Sequence, residues 1–201
     1  METAESRKLY LASGNAGKLK EFQALAANPG RGWELELLPG FASLPEFEES
    51  APTFAENAAG KAFYYSRHCD GIVFADDSGL VVPALGGAPG VFSARYAGIG
   101  ASNEQKIAKL LGEMKGLALE QRDAYFVCVI AAARLGQALV IVSEKVHGEI
   151  LEAPRGTAGF GYDPVFFFPP LRKTFAELHA EQKSQYSHRG KAFRRLMEAL
   201  D

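Results

Sequence analysis

Two β-rich runs joined by a short turn constrain the fold of this chain more than any other feature. The first run is AYFVCVIAAA (124–133) and the second is ALVIVSEKV (138–146), and only RLGQ (134–137) spans the turn between them. Two such runs around a glycine-containing turn predict an antiparallel β-hairpin. A further apolar run, VFFF at 165–168, predicts another strand.

The N-terminal part has a different pattern, in which a strand is followed by a helix. KLYLA (8–12) is a short apolar run that ends at SGN, and the segment 18–27 then has apolar residues at helical spacing. WELELLP (33–39) alternates as a strand does. Because the chain combines strand–helix connections with a hairpin, the sequence predicts an α/β domain around a mixed sheet.

Capping patterns predict where two helices begin. Thr53 and Glu56 have the spacing of a capping box that opens a helix through about His68, and Ser102 and Gln105 have the same spacing. The helix after Ser102 and the last stretch, KAFRRLMEAL, each carry one apolar stripe. The stripe residues are Ile107, Leu110, Leu111, Met114, Phe193, Leu196, Met197 and Leu200.

Composition limits the classes of protein that need to be considered. The chain has 201 residues, without repeats or a linker rich in proline or serine, so we expect one domain over 1–201. No run reaches the roughly 18 apolar residues of a membrane span. The start, METAESRKLYLA, lacks the pattern of a signal peptide, so we expect a soluble cytoplasmic protein with no membrane partner.

Charge and cysteine content exclude further classes. A formal net charge of -2 gives no reason to expect binding along a nucleic-acid backbone. Cys69 and Cys128 are far apart and have no metal-binding spacing. We therefore expect two buried thiols rather than a zinc site or a disulfide.

The segment SGNAGK (13–18) is a candidate phosphate site. Glycines, backbone N–H groups at a helix N-terminus and Lys18 together suit an anionic ligand. The segment is not a P-loop, since Gly14 and Gly17 are too close together and Leu19 stands where Ser or Thr would reach magnesium. A glycine-permitted turn followed by a solvated lysine is the alternative.

Acidic residues form a second candidate site. Asp76 and Asp77 lie in IVFADDSGLVV (72–82), where we expect the strand to end on the two carboxylates and to turn at Ser78 and Gly79. A glutamate-rich loop precedes them, with Glu46, Glu48 and Glu49. Magnesium usually binds one or two protein carboxylates together with substrate phosphates. The alternatives are a solvated loop for the glutamates and a turn or cap for the aspartates.

Two later segments could bind a nucleotide base. In GTAGFGYDPVFF (156–167), glycines allow close approach, aromatic rings offer stacking faces and Asp163 offers an acceptor. In EQKSQYSHRGK (181–191), hydrogen-bond donors cluster ahead of the last helix, and they could hold phosphate or read a carbonyl. These donors are Lys183, His188, Arg189 and Lys191. The alternatives are a tight surface loop and a basic surface segment.

Together these segments resemble the inosine triphosphate pyrophosphatase family, of the bacterial XTP/dITP type. The matching stretches are LASGNAGKLKEF, TFAENAAGKA, FADDSGLVVPALGGAPGVFSARYAG, GFGYDPVFF and EQKSQYSHRGKA, which run from residue 11 to about 192. The resemblance implies hydrolysis of dITP, ITP and XTP to monophosphate and pyrophosphate with Mg²⁺. It also implies a homodimer and an elongated α/β fold, with a mixed sheet flanked by helices and the active-site cleft between two lobes.

The resemblance also implies roles for individual residues. Asp77 matches the family's proton acceptor and one of its metal-binding positions, and Glu48 matches the metal-binding position in the acidic loop. Either Glu48 or Glu49 could face the metal, because Ser50 and Ala51 depart from the family pattern. Apart from the resemblance, we expect the adjacent Asp76 to share the metal's field or to position Asp77. The substrate positions match Ser13, Gly14, Asn15, Ala16, Gly17, Lys18, Lys61, Ser78, Phe160, Gly161, Tyr162, Asp163, Lys183, His188 and Arg189.

Three other functions are compatible with parts of the sequence. One is a Maf-like pyrophosphatase, which would carry out the same type of reaction on pyrimidine or modified nucleotides. A nucleotide sensor without turnover would keep the glycine loops but should lack the paired acids, which this chain has. A structural interaction module would not explain why all five stretches occur together.

Overall fold

The computed structural model describes residues 7–26 and 32–201, and within them the strands form one seven-stranded sheet. The strand order is β2-β1-β3-β4-β5-β6-β7. The strands are β1 (Arg7–Leu11), β2 (Trp33–Leu37), β3 (Ile72–Val81), β4 (Asp123–Arg134), β5 (Gln137–Ile150), β6 (Phe166–Phe168) and β7 (Lys173–Thr174). The α-helices are α1 (Ala16–Ala26), α2 (Phe54–Tyr65), α3 (Asn103–Glu113), α4 (Ala180–Tyr186) and α5 (His188–Leu200).

The sheet contains both kinds of strand pairing, as the sequence predicted. β1 pairs in parallel with β2 and with β3, while β6 pairs antiparallel with β5 and with β7. The predicted α/β class and mixed sheet are therefore confirmed. The predicted first helix extended to Ala27, which lies outside the described residues.

The hairpin between β4 and β5 is confirmed, and two residues form its turn. Leu135 has φ 52° and Gly136 has φ 78°. A two-residue turn with both residues at positive φ matches the twist of the flanking strands, and glycine adopts this conformation without strain.

Both capping predictions are confirmed. The Thr53 hydroxyl accepts the backbone N–H of Glu56 at the start of α2, and a short 3₁₀ turn at Ser66–His68 follows that helix. Ser102 and Gln105 form a complete capping box on α3. These signals were readable because each uses groups only three residues apart.

The prediction for the end of the aspartate-bearing strand is wrong. β3 continues from Ile72 to Val81, so Asp76 and Asp77 lie in its middle, and Ser78 continues the strand instead of turning it. Only 1% of Asp76 and 4% of Asp77 are exposed. Burial of these carboxylates is possible because other elements supply cations and a hydrogen-bond donor, which the strand's own sequence does not reveal.

The chain forms two compact units, each assembled from separate segments. The first unit comprises Met1–Asp77, Cys128–Glu144 and Arg189–Asp201, and the second comprises Ser78–Val127 and Lys145–His188. The core of the first unit includes the rings of Phe22, Phe74 and Phe193. The core of the second includes Leu110, Phe126, Tyr162, Phe166 and Phe175. One domain over 1–201 stays a prediction.

The cysteine expectation holds in part. Cys69 and Cys128 are both free thiols, but only Cys128 is fully buried, and burial raises its pKa. None of the helices described is long and apolar enough to cross a membrane.

Candidate active site

The segment 13–18 connects β1 to the start of α1, and Asn15 organises it. The Asn15 side-chain oxygen accepts the backbone N–H groups of Gly17 at 3.0 Å and of Lys18 at 3.1 Å. Asn15 thereby caps a helix that begins at Ala16, and its own N–H donates to the Ser13 hydroxyl at 3.3 Å. The predicted strand, loop and helix are confirmed, whereas phosphate binding by Ser13 to Lys18 stays a prediction.

Asp76 lies between two cations of the same unit. Its Oδ2 is 3.0 Å from Lys18 Nζ and 3.6 Å from Arg189 Nε. Burial opposes ionisation, but the two cations outweigh it and lower the pKa of Asp76 to about 2. Arg189 also forms an ion pair with Glu21 on α1. The four side chains alternate in charge, so Asp76 is ionised at neutral pH.

Asp77 has a different environment, although it is the next residue. The side-chain amide of Asn57 donates to Asp77 Oδ2 at 3.0 Å. Burial raises the pKa of Asp77 to about 6, and the negative charge of Glu49 adds to this effect while Lys18 opposes it. A carboxyl group that changes protonation near neutral pH has the property that a general base needs.

The glutamate loop contacts α2 through Lys61. Lys61 is buried and forms an ion pair with Glu49. Burial alone would lower the pKa of Lys61, but the negative charges of Glu49, Asp76 and Asp77 together outweigh this effect and the pKa is raised. Glu49 is half-buried, whereas Glu48 is exposed. The structure therefore pairs Lys61 with Glu49, and a metal-binding role for Glu48 stays a prediction.

Residues 159–163 of the second unit, called the aromatic loop below, are held together by Asp163. Its Oδ2 accepts the backbone N–H of Phe160 at 2.8 Å and also pairs with Lys183. The Lys183 ammonium lies 5.0 Å from the centre of the Phe160 ring. Gly161 has φ 62°, and the loop bends there. A stacking face, a buried carboxylate and a lysine are thus brought together, from two segments that the sequence presented separately.

Tyr162 differs from Phe160 in its surroundings. Its ring belongs to the core of the second unit, and its hydroxyl donates to the backbone oxygen of Ser93 at 3.0 Å. Of the two rings in this loop, only that of Phe160 is partly exposed. Tyr162 therefore anchors the loop, and Phe160 is the ring available for stacking.

The four donors predicted ahead of the last helix lie partly within it, since α5 begins at His188, and a surface location is wrong for three of them while Lys191 is half-buried. Lys183, His188 and Arg189 are all largely removed from solvent. Lys183 is paired with Asp163, and the ring of His188 stacks on Phe126 with centroids 4.7 Å apart. Lys183 and His188 belong to the second unit, but Arg189 belongs to the first. Ser78, half-buried directly after Asp77, also belongs to the second.

Sequence reasoning did not select Glu21 or Asn57. Glu21 is three residues after Lys18 on α1, and Asn57 is four residues before Lys61 on α2. Residues at these spacings share a helix face. Their spacing from Lys18 and Lys61 could therefore have predicted that Glu21 and Asn57 share a helix face with these lysines. It could not predict that Glu21 pairs with Arg189 or that Asn57 donates to Asp77.

The donor set bears on which metal could bind. Among residues 7–26 and 32–201, no group of three or more His, Cys, Asp or Glu side chains is arranged to hold a metal ion. Magnesium fits this donor set, because one or two carboxylates and the substrate's phosphates suffice.

Comparison with known proteins identifies the family. The model described as "Ham1 family" matches residues 9–199. The chain belongs to the Ham1 family. A relative from Geobacillus kaustophilus named dITP/XTP pyrophosphatase is 50% identical over 192 residues, which cover 96% of this chain and 93% of the relative.

Other members of the Ham1 family agree with this assignment in sequence and in fold. A dITP/XTP pyrophosphatase from Gloeobacter violaceus is 47% identical, with 95% of this chain and 93% of the relative covered. The structure of a HAM1 protein from Coxiella burnetii superposes with a TM-score of 0.85 at 39% identity, with 96% of this chain and 98% of that chain covered. The Ham1 family thus accounts for the fold over nearly the whole chain.

Proposed function

We propose that this member of the Ham1 family hydrolyses non-standard purine nucleoside triphosphates, namely dITP, ITP and XTP, to the nucleoside monophosphate and pyrophosphate. The observation that carries the proposal is the pair of buried carboxylates Asp76 and Asp77, with Lys18 Nζ 3.0 Å from Asp76 Oδ2. Their environments shift the two pKa values in opposite directions. The relatives named dITP/XTP pyrophosphatase support the same reaction class.

The triphosphate would bind to the loop from Ser13 to Lys18. Gly14, Asn15 and Ala16 are exposed there, at the N-terminal end of α1, where the helix dipole favours an anion. Lys18 and Lys61 would neutralise phosphate charge. Their present partners, Asp76 for the half-buried Lys18 and Glu49 for the buried Lys61, balance the charge of each lysine until an anionic substrate arrives.

Asp77 is the proposed general base. Its raised pKa means that it can accept a proton from the attacking water near neutral pH. We propose that Asp77 and Glu48 also hold Mg²⁺, with Glu49 as the alternative to Glu48. When bound, the ion would neutralise developing charge on the phosphates.

We assign recognition of the purine nucleobase to residues of the second unit. The ring of Phe160 would stack on the purine, and Gly161, Tyr162 and Asp163 would shape the loop around it. Lys183 would donate to the oxygen at purine position 6, with His188, Arg189 and Ser78 as further contacts. A buried donor facing adenine's amino group would stay unpaired, and such mismatches can give discrimination of order 10⁴.

The test is pyrophosphate release from a panel of nucleotides, with magnesium present and with a chelator. We expect dITP, ITP and XTP to be turned over and ATP to be rejected. Preferred turnover of dUTP or methylated dTTP would replace the proposal with a Maf-like activity. Binding of dITP without release of pyrophosphate would indicate a sensor.

The Asp77→Asn variant tests the catalytic role directly. We expect it to bind dITP but to lose at least about 100-fold in kcat, as removal of a general base does. Turnover close to wild type at saturating magnesium would remove Asp77 from this role.

We propose a homodimer on the family resemblance alone, and a cytoplasmic location because the sequence lacks the pattern of a signal peptide. We also propose that the partner is a small nucleotide, with no nucleic acid and no membrane involved. Light scattering after size-exclusion chromatography would give the oligomeric state.

A further inference from the structure

Asn57 is a polar side chain on a buried part of α2. It lies four residues after the cap at Thr53, and only 1% of it is exposed. Asparagine is a weaker helix former than alanine, and burying its amide is unfavourable unless the amide is hydrogen-bonded. A helix gains nothing from asparagine at such a position unless its side chain contacts something specific.

The contacts of Asn57 join two parts of the first unit. Its Oδ1 accepts the backbone N–H of Ala51 at 3.0 Å, and its Nδ2 donates to the backbone oxygen of Ala51 at 3.2 Å. The same Nδ2 donates to Asp77 Oδ2 at 3.0 Å. Both amide hydrogens and the amide oxygen are therefore used, and only one orientation of the amide satisfies all three contacts.

We propose that Asn57 is a positioning residue, which fixes the Asp77 carboxylate relative to the loop that carries Glu48 and Glu49. Ala51 is two residues after Glu49, so its two backbone bonds tie the end of that loop to α2. The bond to one Asp77 oxygen restricts rotation of the carboxylate and so directs its other oxygen. This inference rests on the proposed catalytic role of Asp77.

A positioning role has a specific kinetic consequence. If Asn57 only orients the general base Asp77, its loss leaves the protein's contacts with the phosphates and with the nucleobase intact. Substrate affinity is then kept while the chemical step slows. Misplacement of a reacting group by about 1 Å can lower a rate by about 100-fold. A purely structural role would instead lower stability and leave kcat per folded molecule unchanged.

The experiment compares three variants of the full chain in dITP hydrolysis with magnesium. Asn57→Ala removes all three contacts, and we expect kcat to fall about 10- to 100-fold while KM changes less than about threefold. Asn57→Asp keeps the acceptor for the Ala51 N–H and nearly the same side-chain volume but sets a second carboxylate against Asp77, so kcat should fall at least as far as in Asn57→Ala. Asn103→Ala, an asparagine at the first turn of α3 in the second unit, is the matched control and should behave as wild type.

Two further readouts separate positioning from folding. Hydrogen exchange of the Ala51 amide should accelerate in Asn57→Ala and stay unchanged in Asn103→Ala, because only the former loses its acceptor. In an Asp77→Asn background, Asn57→Ala should cost no more than about twofold further in kcat, since the two residues act as one unit.

The outcomes distinguish this inference from the proposed function. If Asp77→Asn keeps wild-type turnover, the catalytic assignment fails, and the positioning role fails with it. If Asp77→Asn loses turnover but Asn57→Ala keeps kcat, or lowers only stability, the positioning role alone is overturned. A further tenfold loss in the double variant would also overturn it.

Discussion

Asp76 and Asp77 are neighbours on β3, yet their environments shift their pKa values in opposite directions. Two cations stabilise the charge on Asp76, whereas burial and Glu49 disfavour the charge on Asp77. Each shift is also a statement about stability, because a group whose pKa differs between the folded and unfolded states makes the free energy of unfolding depend on pH.

For Asp77, the pKa is raised from 3.8 to about 6 in the folded protein. The folded state therefore binds this proton more tightly than the unfolded state does. The stabilisation from the protonated carboxyl group is fully present below pH 3.8 and is lost as the pH rises through about 6. Asp77→Asn should raise the free energy of unfolding at pH 8 by on the order of 2 kcal/mol, and the gain should shrink towards pH 5. Urea unfolding with a chelator measures this, and a loss of stability at pH 8 would contradict it.

For Asp76 the sign is reversed. Its pKa is lowered from 3.8 to about 2, so its stabilisation is present above the ordinary pKa and lost as the pH falls through about 2. Asp76→Asn should lower the free energy of unfolding at pH 8 by about 3 kcal/mol, because Lys18 and Arg189 lose their shared carboxylate. The same unfolding series tests it, and equal stability to wild type would show that the ion pairs contribute nothing net.

At the scale of elements, the aromatic loop requires a glycine at position 159, because the backbone there lies close to the side chain of Asp163. Gly159 has φ 75°, and a Cβ placed there would overlap Asp163 Oδ2. That oxygen holds both the Phe160 N–H and Lys183. The loop's shape and its charge pairing therefore depend on the same atom.

Gly159→Ala should displace Asp163 and weaken dITP binding, with a rise in KM of at least about tenfold and a smaller change in kcat. Gly100→Ala is the control, because Gly100 also has positive φ, 77°, but among the described residues no atom beyond Gly100 and its chain neighbours lies within 4 Å of where its Cβ would be. Both variants carry the backbone strain of a non-glycine residue at positive φ, and only the first carries the clash. Equal KM values in the two variants would refute the role of the close approach.

At the scale of the whole molecule, three strands connect the sequence segments of the two units. β3, β4 and β5 each contribute residues to both units, while each unit has its own apolar core. Strands that run through both units cannot lose their hydrogen bonds in one unit without exposing unpaired backbone groups at the break.

We therefore predict one cooperative unfolding transition. Trp33, the single tryptophan, lies in the first unit, so its fluorescence and the circular dichroism of the whole chain should give the same midpoint. Phe74→Leu in the first core and Phe166→Leu in the second should each lower the free energy of unfolding by roughly 1–2 kcal/mol. Each should therefore lower the common midpoint. Two separate midpoints would show two independently folding units.

Local patterns in the sequence were enough to determine most elements and the family. The hairpin, the caps at Thr53 and Ser102 and the apolar stripe of α5 depend on residues close in the chain, so their spacing alone predicts them. The motifs also selected Lys18, Asp77 and Lys183 as candidates.

Only the tertiary structure decided how the charged residues are accommodated. It extends β3 through both aspartates, pairs Lys61 with Glu49, buries Arg189 beside Asp76 and brings Asn57 to Asp77. The physical reason is that the cost of burying a charge or an amide is set by partners on other elements, and no local spacing specifies those partners.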